Sequence, residues 1–327
     1  MSYAQHPLPR MLGALLLLAL ALPGALCAQP YPSRPVRLVV GFTPGGGVDI
    51  NARLLASKLS EYLGQQVIVE NRPGAGTNIA NEFVARSAPD GYTLLMATPV
   101  VLINTTLYKK LAYDTLRDFT GVAIFSASPN IMVVGAGVPV ANVQQLLALA
   151  RARPGELNYS SAGSGSTQHL SGALFRARTG IDMVHVPYKG SSPALTALIS
   201  GDVQLSFSNI PAIRQHVLSG RLRPLASTGT RRSELMPEVP TMKESGIDIE
   251  VTVWYGVMAP AATPQPVIDK LAAAIAKAAH APDIRQRLIE QGAEPVGNTP
   301  EEFARILRAE AGTWADAVKS SGAKADE

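Results

Sequence analysis

The chain has 327 residues, a formal net charge of +4 and one cysteine, Cys27. That length suits two ordinary domains. The lone cysteine rules out a disulfide framework or a cysteine-rich metal site, and the mild, scattered positive charge argues against a nucleic-acid-binding face.

The first 28 residues read as a secretory signal peptide. Arg10 ends a polar start, residues 11–22 form an apolar run, and Pro23-Gly24 breaks it before a stretch of small residues. The run is too short to span a bilayer as a mature helix, and cleavage is expected near Ala28. The residues before Cys27 make a poor lipid-attachment signal. No later segment has about 18 consecutive apolar residues, so a transmembrane helix is not expected.

Residues 36–40 are an apolar, β-branched strand. The loop Phe42-Thr43-Pro44-Gly45-Gly46-Gly47-Val48-Asp49 follows it and opens a helix over 49–63. In that helix Leu54, Leu55, Leu59 and Leu63 recur at helical spacing, and Gly64 stops it. A glycine loop at a helix start lets the backbone approach a ligand and aims free N–H groups at an anion. The loop has no Lys or Arg and does not match Gly-x-x-x-x-Gly-Lys-Ser/Thr, so it suits a small carboxylate better than a triphosphate. Asp49 is expected to fix the loop, with an ion pair to Arg53 one turn on. A strand over 67–70, a turn-rich loop over 71–77, a helix over 78–86 and a strand over 92–97 complete a β-α-β-α-β half.

Two apolar runs, 119–125 and 131–134, flank Ser126-Ala127-Ser128-Pro129-Asn130 and mark a crossing into a second domain. A helix over 143–152 and a strand over 157–160 lead to a second loop, Ser160-Ser161-Ala162-Gly163-Ser164-Gly165-Ser166-Thr167. It too stands between a strand and a helix, the latter over 167–178, and two such neutral loops facing each other suit a molecule with two carboxylates, or with one carboxylate and a polar tail. His169 reads either as a ligand donor or as a side chain packed on the loop. His185, on a strand over 183–186, reads as structural. A helix over 193–199, a strand over 203–206, a helix over 211–218 and a strand over 222–226 follow. An apolar strand over 249–258 returns to the first domain. The tail is helical over 266–279, 283–291 and 300–319, the last opened by Thr299, Pro300 and Glu302.

Two α/β domains joined by two crossing strands place a ligand between them, at the carboxyl ends of their strands. No His/Cys spacing suits a metal, and no cofactor is expected. Gly190-Ser191-Ser192-Pro193-Ala194, followed by Asp202 and His216, is a distant relative of a hydrolase nucleophile elbow. It lacks the final glycine, and Pro193 has no N–H for an oxyanion hole, so an enzyme is not expected.

Several ordered motifs resemble the receptors of tripartite tricarboxylate transporters, the Bug-type periplasmic solute-binding proteins. They are Tyr31-Pro-Ser-Arg-Pro35, the first glycine loop with Ala52-Arg53, Val69-Glu-Asn-Arg-Pro-Gly-Ala-Gly76 and Pro89-Asp-Gly-Tyr-Thr-Leu-Leu95. Others are Gly163-Ser-Gly-Ser-Thr-Gln-His-Leu170, Val184-His-Val-Pro-Tyr-Lys-Gly190, Val239-Pro-Thr241, Trp254-Tyr-Gly256, Ala259-Pro260 and Gly292-Ala-Glu-Pro295.

The resemblance implies an α/β, two-lobed periplasmic-binding-protein fold of type II (a Venus flytrap), with two doubly wound sheets joined by a two-strand hinge. Lobe 1 would hold residues 29–127 and 252–327, and lobe 2 residues 128–251. It implies a periplasmic, monomeric receptor that closes on a small organic carboxylate and passes it to membrane permease subunits. A ligand-sensing subunit for a signalling partner is the alternative. The implied binding residues are Phe42, Thr43, Pro44, Gly45, Gly46, Gly47, Val48, Asp49, Thr98, Pro99, Ser161, Gly163, Ser164, Gly165, Ser166, Thr167 and His169, with Tyr188, Lys189 and Asn209. Many relatives carry Asp where this chain has Ser208, which disfavours a ligand ammonium group. Pro99-Val100-Val101-Leu102 is apolar where relatives are polar, which favours a less polar acid.

Overall fold

The computed structural model describes residues 31–188 and 191–325. The expected signal peptide, Lys189 and Gly190 lie outside the described residues.

The first half is β1 (Val36–Val40), α1 (Gly47–Leu63), β2 (Val67–Asn71), α2 (Asn78–Ala85), β3 (Thr93–Ala97), α3 (Val100–Leu107) and α4 (Thr115–Asp118). β1 pairs in parallel with both β2 and β3. The crossing is β4 (Phe119–Gly135). Beyond it come α5 (Val143–Ala152), β5 (Leu157–Ser161), α6 (Thr167–Thr179), β6 (Met183–Pro187), α7 (Ser191–Ser200), β7 (Leu205–Asn209), α8 (Ile210–Leu218) and β8 (Leu222–Ser227). The chain returns through β9 (Thr252–Pro260), α9 (Gln265–Ala279), α10 (Pro282–Glu290), β10 (Glu294–Pro295) and α11 (Pro300–Ser321).

The hydrogen-bonded strand order is β2-β1-β3-β9-β4-β7-β5-β6, with β8 and β10 also on β4. β4 and β9 form the antiparallel centre. β4 pairs with β9 as far as Pro129, then with β7 and β8 from Asn130 and Ile131 onward. One strand thus serves both sheets.

The two apolar runs around Ser126-Ala127-Ser128-Pro129-Asn130 are therefore one strand of 17 residues. Its register shifts at Gly121/Ala123, Ile124/Ser126 and Met132/Val133; such bulges bend and twist a strand. The intervening polar residues are buried but paired. Ser126 donates to Asn51 Oδ1 at 2.8 Å, Ser128 to the Gly292 carbonyl at 2.8 Å, and Asn130 Nδ2 to Ser171 Oγ at 3.2 Å. A hydropathy pattern reads them as a break because it cannot see these partners.

Thr228 ties the outgoing and returning segments together. Its N–H donates to the Asn130 carbonyl and its hydroxyl to the Val251 carbonyl, while Val251 N–H donates to the Thr228 carbonyl. That tie holds Val251, and β9 begins at Thr252 rather than near 249.

α3 is a further difference, because the β-branched run Val100-Val101-Leu102-Ile103 forms a helix. Val101, Leu102 and Ile103 are buried in a core that also holds Leu170 and Phe175 of the second half and Phe303 and Trp314 of α11. Burial of an apolar face outweighs modest helix propensity. The same packing removes the reason for expecting a less polar ligand, since these side chains face the core.

Candidate functional site

The first glycine loop is open. Residues 43–47 are exposed, whereas Asp49 beneath them is 2% exposed. Asp49 accepts from Gly45 N–H at 2.9 Å, Arg53 Nε at 2.9 Å and Asn71 Nδ2 at 2.9 Å. The Arg53 guanidinium, helped by these bonds, holds its carboxyl down at about 2. Asp49 is thus a saturated anion that shapes the loop. Asn51 braces the next turn: its Nδ2 donates to the Gly47 carbonyl and its Oδ1 accepts from Ser126 on β4. Sequence reasoning overlooked Asn51, whose role depends on a strand 75 residues away. α1 has no side-chain cap at Gly46. The N–H groups of residues 46–49 have no acceptor among the described residues, as the first turn of an uncapped helix requires.

The second loop is braced from within. Ser166 caps α6 by accepting from His169 N–H at 3.2 Å, and its own hydroxyl donates to the Gly163 carbonyl. Gln168 Oε1 accepts from Ala162 N–H at 2.8 Å, Ser161 Oγ from Gly163 N–H at 3.1 Å, and His169 Nδ1 from Gly165 N–H at 3.2 Å. His169 and His185 stack with centroids 3.7 Å apart, and His185 Nε2 bonds Ser161 Oγ at 2.7 Å. Burial lowers His169 to about 3 and His185 to about 4, with the Arg176 cation adding to both and each imidazole staying neutral. The 2%-exposed His169 is therefore packed on its loop. At the helix start, Thr167 and Gln168 keep N–H groups without an acceptor among the described residues.

Between the halves lies a cavity of about 170 Å³. Ser166, Thr167 and Asn209 of the expected residues line it, with Ala162 and Gln168 from the same loop. The crossing contributes Ser128, Pro129 and Asn130, and β9 contributes Val253 and Tyr255; Ser191 completes the wall. The composition break at Pro129-Asn130 was the signal for the crossing residues, since a crossing borders a cleft. Nothing in the pattern marked Tyr255. None of the lining side chains is charged.

The first loop does not line this cavity. It meets it at Gly47, where an added Cβ would stand 3.5 Å from the Tyr255 hydroxyl. The halves also touch at Gly165, whose Cβ would lie 2.8 Å from Leu107 Cδ2 on α3. Thr98, Pro99, Ser161, His169 and Tyr188 lie outside the lining. Thr98 and Pro99 are buried at the start of α3, and Tyr188 N–H bonds the Ser161 carbonyl. Ser208 is buried against Ser206 Oγ at 3.1 Å and does not reach the cavity.

The elbow reading finds no triad. Asp202 accepts from Ser200 Oγ, the buried His216 Nδ1 has no partner among the described residues, and neither bonds Ser192. Among the described residues no cluster of His, Cys, Asp or Glu could hold a metal, and no helix is long and apolar enough to cross a membrane.

Residues 51–322 match the model of the tripartite tricarboxylate transporter family receptor. The chain belongs to that family. A protein from the tcbD-tcbE intergenic region of Pseudomonas sp. strain P51 is 40% identical over 286 residues, 87% of this chain and 85% of its own. Bordetella pertussis BugT is 37% identical over 300 residues, 91% of this chain and 92% of its own. R. palustris Rpa4515, solved with adipate, superposes with a TM-score of 0.75 at 39% identity, covering 90% of this chain and 99% of that one. MatC from Rhodopseudomonas palustris, with bound malate, gives 0.72 at 32% identity, covering 88% and 100%. The receptor therefore has the two-lobed fold of periplasmic solute-binding proteins and is a binding protein rather than an enzyme.

Proposed function

We propose that this receptor captures a small carboxylate in the periplasm, after loss of its leader near Ala28, and delivers it to the permease subunits of a tripartite transporter. The observation that carries the reading is a pair of helix starts with unpaired N–H groups: Thr167 and Gln168 on α6 line a cavity without charged side chains, and residues 46–49 on α1 adjoin it through Gly47 and Tyr255. Such groups favour an anion, and the cavity holds no carboxylate to meet an ammonium group. At about 170 Å³ it is smaller than the roughly 300–1,000 Å³ of drug-sized sites, which fits a compact acid. The ligand-bound relatives hold adipate and malate, both dicarboxylates.

The lobes are taken as 29–127 with 252–327, and 128–251. Ligand contacts both only when they are closed, so binding shifts an open–closed equilibrium. The receptor is expected to act as a monomer. A thermal-shift screen of di-, tri- and monocarboxylates and amino acids tests the reading. An acid at a hundredfold excess over its dissociation constant should stabilise by about 2.7 kcal/mol. Stabilisation by amino acids alone, or by no acid, contradicts it.

A further inference from the structure

β9 turns successive side chains to opposite faces of the sheet. Trp254 goes to the core side, where its indole N–H donates to Glu310 Oε2 at 2.9 Å. Tyr255 goes to the cleft side and lines the inter-lobe cavity. Its side chain is partly buried against the first half's core, the core on which Phe42 and Val48 of the glycine loop also pack.

The Tyr255 hydroxyl has no hydrogen-bond partner among the described residues. The two most deeply buried phenols behave differently: Tyr113 donates to Asn78 Oδ1 at 2.7 Å and Tyr159 to the His169 carbonyl at 3.3 Å. Tyr255 is instead half-buried in the cavity wall, where a bound ligand can supply the partner that its hydroxyl lacks. The lone hydroxyl stands against Gly47, where the N–H groups of α1 are unpaired. The other side of the cavity carries Thr167 and Gln168, where the N–H groups of α6 are unpaired.

We propose that the Tyr255 hydroxyl is a ligand-binding donor, completing the neutral set that holds a carboxylate at the start of α1; this rests on the carboxylate-receptor reading. Tyr255 is the side chain that adjoins the first loop and also lines the cavity shared with the second. A ligand oxygen bonded to it is held at the point where the two halves meet. Gly47 is then small for a stated reason: a larger side chain would fill the space between the helix start and the phenol. Burial raises the phenol above its ordinary value, so the donor proton stays in place at neutral pH.

Isothermal titration of adipate, malate, glutarate and citrate into the purified protein and its Tyr255→Phe variant tests this, alongside the melting temperature of each without ligand. The variant removes one oxygen that no described protein group uses, so its unliganded melting temperature should match that of the parent. Its affinity for the acid that binds the parent should fall about tenfold to a hundredfold, the scale of one hydrogen bond to a charged group. Equal affinity in both proteins overturns the assignment while leaving the carboxylate reading intact. Weaker binding accompanied by a lower unliganded melting temperature marks a structural role and also overturns it. If the parent binds none of the four acids, the carboxylate reading fails and the assignment fails with it.

Discussion

The two glycine loops occupy matching strand–loop–helix positions but are built differently. The first is exposed, its helix has no side-chain cap, and one buried acid, Asp49, braces it from below. The second is capped by Ser166 and held by Gln168, Ser161 and a stacked histidine pair. One loop thus leaves its helix start open, whereas the other keeps only the two N–H groups that adjoin the cavity. Equivalent positions in a fold do not make equivalent sites; what matters is which N–H groups the protein has already used.

Asp49→Ala should have the largest effect. It removes the acceptor of Gly45 N–H and Asn71 Nδ2. Arg53 is more than half exposed, so its ion pair contributes little. Loss of the other two bonds should cost about 1.5–3 kcal/mol in a denaturant melt and disorder the first loop. A melt unchanged from the parent protein would mean that the loop holds its shape without the acid.

Alanine at one glycine of each loop, Gly165 before its helix and Gly47 at the first residue of its helix, gives the next largest effect. Gly165 has a φ of +77° and its Cβ would meet Leu107, so Gly165→Ala should destabilise by about 1–2 kcal/mol. Gly47 is helical and its nearest neighbour would be at 3.5 Å, so Gly47→Ala should leave the fold unchanged and weaken ligand binding. If both alanines cost the same stability in the unliganded protein, the first loop is not open.

Acid should loosen the loops in different windows. His169 and His185 fall from an ordinary 6.5 to about 3 and about 4, so the unfolded chain takes up their protons first. The stability they contribute is whole above about 6.5 and declines as pH falls toward those values. Asp49 is lowered from 3.8 to about 2, and its contribution is lost only over that lower range. Hydrogen-exchange protection of residues 163–169, corrected for intrinsic rates, should therefore weaken at a higher pH than the bonded amide of Gly45. A common midpoint would contradict this. The smallest effect is expected from Ser192→Ala, which should leave ligand affinity unchanged, because no histidine or acid among the described residues engages that hydroxyl.

Much of the fold was legible in the sequence because period and punctuation coincide with burial. α5 falls on 143–152 as its leucine spacing implies, and Gly64 ends α1 in the left-handed conformation expected of a stop. β4 was not legible as one strand, since its polar centre is satisfied by Asn51, Gly292 and Ser171, all remote in sequence. The glycine loops could be seen, but the bracing that distinguishes them could not. It depends on Ser161 meeting His185 and on His169 folding back onto Gly165. Tyr255 lay hidden in an apolar strand, because alternation alone does not say which face meets a cleft.

The most direct test is an amide nitrogen–proton correlation spectrum of the labelled protein titrated with adipate. Recognition by backbone N–H groups predicts that the largest shifts fall on residues 46–49 together with Thr167 and Gln168, and that they saturate with one binding curve. Saturable shifts confined to another surface, with both helix starts unmoved, would contradict it.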